Sequence, residues 1–79
     1  MNQENNIKAR EYFSFYTTRE LINVLNEIVL SQRTFSEDSI VRKFCSDLFP
    51  ENKLFHTNIL ALGFLLAIEF SKRLEAVTK

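Results

Sequence analysis

Chemistry in this chain would have to start from one cysteine and one histidine, Cys45 and His56, eleven positions apart. A thiolate beside an imidazole is a nucleophile with its base, provided the fold brings the two together. The spacing of their neighbours argues against it. Cys45 shares an apolar helical stripe with Ile40, Val41, Phe44 and Leu48, where a cysteine is a small core residue. His56 falls near the start of another helix, where a capping or pairing role is expected. Glu27, Asp47 and Glu69 lie on separate polar faces. A single cysteine excludes an internal disulfide and a cysteine-rich metal site. There is no glycine-rich phosphate loop, paired-cysteine motif or calcium loop. The sequence therefore predicts no catalytic, cofactor-binding or metal-ligating residue, and a protein that is not an enzyme.

The elements that carry these residues read as helices. Gly63 and Pro50 are the only glycine and proline, too few for the repeated tight turns of a β fold. Thr17 and Glu20 have capping-box spacing. Leu21, Val24, Leu25, Ile28 and Val29 then recur at helical steps, ending near Ser31 to Arg33, where Arg33 would meet the negative end of the dipole. A second helix is expected from Ser36 as N-cap, with Glu37 and Asp38 in its first turn, to Phe49, where Pro50 stops it. The short link between the two suits antiparallel neighbours. A third, longest helix has a body from Leu54 to Val77, with Pro50 and Glu51 as a possible first turn.

Ahead of these stand a polar stretch, Met1 to Asn6, expected to be disordered, and an aromatic segment with Tyr12, Phe13, Phe15 and Tyr16. That segment is either an arm folded back over the core or an exposed partner-binding strip. The expected organisation is a flexible tail and arm over 1–16 and a three-helix domain over 17–79.

The third helix poses the main question. Ile59 to Ile68 is apolar all round, with Gly63 inside it. Such a helix is buried on every side, yet two shorter helices cannot enclose it. The reading is a homodimer through a stripe of Ile59, Leu62, Gly63, Leu66 and Phe70. The alternative is that Gly63 admits one of the shorter helices within a single protomer. A chain of 79 residues has a small core of its own, and association is the remaining way to extend it.

Charge limits the partners. Ten basic and ten acidic residues give a net charge of zero, so general attraction to nucleic acid or to acidic membrane surfaces is weak. Arg42 with Lys43, and Lys72 with Arg73, are the basic pairs that a small nucleoid-type DNA binder would use. Otherwise they are solvated faces with local ion pairs. The ten-residue apolar run is shorter than a membrane span, and the amino terminus has no signal-like core. A cytoplasmic protein with a reduced thiol is expected.

Together, the Tyr12-Phe13 pair, the amphipathic run Glu20 to Leu30, the link Phe35-Ser36-Glu37-Asp38-Ser39-Ile40, a second helix ending in Leu48 and a long apolar closing helix form a pattern. It resembles the YmgB/AriR family of small enterobacterial biofilm and acid-resistance regulators, which includes connectors of two-component systems. The resemblance covers Tyr12 to Glu69. It implies a three-helix protomer that dimerises through its long helix and regulation by contact with a phosphorelay component or transcription factor, with no catalytic residue. DNA binding, also proposed within that family, sits poorly with a neutral chain. The expected function is a non-catalytic, homodimeric connector in a bacterial signalling, biofilm or stress-response pathway. The alternatives are a DNA-binding regulator or a phage-type inhibitor of a host protein. Contacts with such partners would fall to Tyr12, Phe13, Phe15, Tyr16, Arg42, Lys43, Lys72 and Arg73.

Overall fold

The computed structural model describes residues 3–30 and 35–78. These form four α-helices: α1 Gln3–Phe13, α2 Thr18–Leu30, α3 Ile40–Leu48 and α4 Phe55–Thr78. Three of them match the expected order. The fourth, α1, includes positions 3–6 of the stretch expected to be disordered. The fate of Arg33 lies outside the described residues.

Local sequence sets most boundaries. The Thr17 amide donates to the Glu20 carboxylate at 2.8 Å, and the Glu20 amide donates to the Thr17 hydroxyl at 3.1 Å. This reciprocal pair starts α2, as its spacing predicts. α3 starts later than expected. Its N-cap is Ser39, with extended backbone (φ −61°, ψ 140°), whose hydroxyl accepts from the Val41 amide at 3.1 Å. Ser36 instead donates its hydroxyl to Asp38 and lends its carbonyl to the Ser39 amide in the preceding turn. The deciding contact is tertiary: the Ser39 hydroxyl donates to Glu27 of α2 at 2.5 Å. α3 ends at Phe49, whose amide bonds to the Cys45 carbonyl at 2.8 Å, directly before Pro50. Pro50 and Glu51 form a turn and do not open α4. The Asn52 side chain accepts from the Leu54 amide and donates to buried Asn58, which bonds back to the Asn52 carbonyl.

α4 is the axis of the bundle and packs against each of the other three helices; α3 also touches α1 and α2. Leu62, Leu65 and Leu66 of α4 meet Leu21 and Val24 of α2, Val41, Phe44, Cys45 and Leu48 of α3, and Ala9 and Phe13 of α1 in one core. Leu62 and Leu66 are fully buried in it. That corrects the expected dimer stripe. Both side chains are used inside the protomer, and Ile59 and Phe70 pack half-buried against the same core. The alternative reading of Gly63 fails as well: a Cβ built there would meet nothing within 4 Å.

Replacing Ser39 with Ala should cost about 1–2 kcal/mol, since it removes both the cap and the Glu27 contact. Ser36→Ala should cost less than about 0.5 kcal/mol. Urea denaturation of both variants checks this, and equal losses would contradict the placement of the cap.

Candidate functional site

The side chains with chemistry are dispersed, and most hold structural contacts. Glu27 is held by Ser39 of α3. Asp47 accepts a hydrogen bond from the Tyr12 phenol and lies 3.7 Å from the Lys43 ammonium. Glu69 is buried beside Arg73. His56 is exposed at the start of α4. Cys45 is buried, and desolvation pushes its thiol up to about 11. Among the described residues, no three His, Cys, Asp or Glu side chains are grouped to hold a metal ion. No helix there is long and apolar enough to cross a membrane.

The aromatic arm resolves into two parts. α1 carries Phe13 into the core at 1% exposure, so Phe13 is not a surface contact. Tyr12 meets Phe44 of α3 edge-on and Tyr16 lies tilted against it, with ring centroids 5.1 and 4.9 Å away. Burial first, and then the Asp47 hydrogen bond, raise the Tyr12 phenol above its ordinary pKa. Phe15, at the corner between α1 and α2, is 85% exposed. Of the four aromatics nominated from sequence, Phe15 alone is presented to solvent as a whole ring.

Three of the four nominated basic residues are similarly engaged. Arg42 lies 4.3 Å over the Phe55 ring and donates its Nε to the Phe35 carbonyl at 3.0 Å. Lys43 reaches the Tyr16 hydroxyl at 3.3 Å as well as Asp47. Arg73 is the most committed. Its Nε donates to Glu69 at 2.7 Å and its Nη1 to the Thr18 hydroxyl at 2.8 Å; its Nη2 reaches the carbonyls of Phe13 and Tyr16, both at 3.0 Å. The sequence suggested a dipole-complementing cation here; the structure makes it a clamp on the α1–α2 corner. Lys72 is exposed at the rim of a cavity of about 260 Å³ between α1 and α4. A groove of about 580 Å³ beside α3 sets Glu37 and Asp38 against Arg42, Lys43 and Lys53, so neither sign of charge dominates it.

The surface also carries an apolar face. On α4, Leu60 is 76% exposed, Phe64 59% and Leu74 65%; Ala67 and Ser71 lie open between them. At 100° per residue these five positions share the face opposite the core residues Leu62, Leu65, Leu66 and Glu69. Gly63 borders that face with open space in front of it. Sequence reasoning included two core residues, Leu62 and Leu66, in the unpartnered side of α4. In a run apolar at every position, periodicity cannot say which stripe the protomer covers.

No family model matches this chain, and no curated protein or solved structure matches it at a significant level.

Two outcomes follow from this geometry. Arg73→Ala should cost about 3 kcal/mol, because it leaves the Glu69 carboxylate buried without its nearest partner and frees two carbonyls. Lys72→Ala next to it should be near neutral, and denaturant titration separates the two. Cys45 should resist thiol reagents at pH 8 until the chain unfolds. The raised thiol pKa also has a linkage sign. The protonated thiol adds stability below the unfolded value of about 8.5, and that increment is lost as pH rises through about 11. Rapid labelling of folded protein at pH 8 would refute this placement.

Proposed function

We propose that this chain is a small non-catalytic regulator that works as a homodimer through protein contacts, a connector in a cytoplasmic bacterial signalling, biofilm or stress-response pathway. The single observation that supports it is the exposed apolar face of α4 at Leu60, Phe64 and Leu74. Isolated exposed apolar residues need no explanation, but a contiguous row of them on one helix face marks an interaction surface. Gly63 adds to this reading. A glycine inside a helix costs about 1 kcal/mol against alanine, and no neighbour within the protomer requires its missing side chain.

The pathway class rests on the resemblance to small enterobacterial regulators. Arg42, Lys43 and Arg73 hold intramolecular contacts, which favours a protein partner over the DNA backbone. Phe15, exposed at the corner between α1 and α2, lies away from α4's outer face in sequence and remains for that partner.

The test replaces Phe64 with Asp. Because Phe64 is largely exposed, helix content should stay unchanged. Sedimentation at tens of micromolar should show a dimer for the native chain and a 9.3 kDa species for the variant. Crosslinked pull-down should recover a signalling or transcriptional component with the native chain. A native chain that sediments as a monomer at all concentrations would remove the homodimer. Leu66→Asp is unsuited to this purpose, because Leu66 is fully buried and a charge there would unfold the protomer.

A further inference from the structure

We infer that two copies of the chain pair through the outer faces of α4 in antiparallel orientation, with the twofold axis level with the Leu65–Leu66 peptide. This rests on the homodimer reading and adds its orientation and register. The exposed positions 60, 64, 67, 71 and 74 advance by alternating steps of four and three. That is the seam spacing of a two-helix interface.

Their sizes then decide between the two orientations. Leu60 and Phe64, in the first half of the seam, are large; Ala67 and Ser71, in the second, are small. A parallel pair would set Phe64 on Phe64 and Ala67 on Ala67, crowding one layer and leaving a void in the next. In the antiparallel pair, Phe64 faces the partner's Ala67, and the same register sets Leu60 against the partner's Ser71. Leu60 and Phe64 each then meet a small residue, as close packing requires.

The antiparallel arrangement also opposes the two helix dipoles.

Two full-length variants, Leu60→Cys and Ser71→Cys, each in a Cys45→Ala background, test the register. Both sites are exposed in the protomer, and circular dichroism confirms that folding is retained. Each variant is oxidised alone and in an equal mixture, with sedimentation alongside. In the antiparallel register, identical positions lie eleven residues apart along the axis, about 16 Å, well beyond the roughly 7 Å that a disulfide tolerates between Cα atoms. The expected result is a disulfide dimer in the mixture at least tenfold more abundant than with either variant alone. Efficient crosslinking of each variant with itself would overturn the antiparallel register and leave the homodimer standing. A sedimenting dimer with no crosslink in any combination would place the interface on another face and overturn it too. A monomer throughout would instead remove the homodimer reading.

Discussion

The fold depends on one guanidinium. α1 ends at Phe13, and a helix end leaves carbonyl groups without partners inside the helix. Arg73 reaches across from α4 to accept that duty, binding the carbonyls of Phe13 and Tyr16 and the hydroxyl of Thr18. Glu69, one turn earlier on the same face, compensates its charge in a buried site, and Arg10 of α1 approaches Glu69 to 3.5 Å. The guanidinium's donors are largely filled, whereas Glu69 Oε1 is buried without a hydrogen bond and has only the charge of Arg10 near it. With the corner fixed, Phe13 enters the core, and Tyr12 and Tyr16 arrive on the ring of Phe44. The position of α3 against α1 follows from a contact made at α4.

How much of this was legible depends on the range of each interaction. The Thr17–Glu20 capping box is contained in four residues, and sequence spacing identifies it fully. The stop at Phe49 needs only the following proline. The start of α3 was misplaced because Ser36 and Ser39 are both good caps in isolation. Glu27, twelve positions earlier, selects Ser39 through a tertiary hydrogen bond. Arg73 was read as a cation suited to its own helix end, since its partners stand 55 to 60 positions away and no local pattern points to them. For the aromatic segment the residues leave folding back and exposure both open, and nothing in them marks a helix that begins as early as Gln3. The polar composition there gave no apolar stripe to follow.

The candidate surface was the least legible part, for a reason of pattern and not of distance. An amphipathic helix announces its buried face by contrast with its polar one. Between Ile59 and Ile68, α4 offers no contrast. The presence of a second apolar face could be inferred, but its identity could not. The covered side is decided by what arrives from elsewhere: Leu21, Val24, Phe44 and Phe13 close on Leu62, Leu65 and Leu66. Leu60 and Phe64 are left by subtraction.

That subtraction links the stability of the protomer to its function. A chain of this size has little interior in which to place apolar side chains, so a helix apolar on two faces would be poor economy for a protein that acts alone. The polar side chains point the same way. Asp47, Glu27, Glu69, Arg42, Lys43 and Arg73 all hold helices together or finish helix ends. Cys45 is held neutral in the core. The division of labour within α4 is physical: Leu62, Leu66, Glu69 and Arg73 face inward and hold the other helices, while Leu60, Phe64 and Leu74, half a turn around the same helix, face outward.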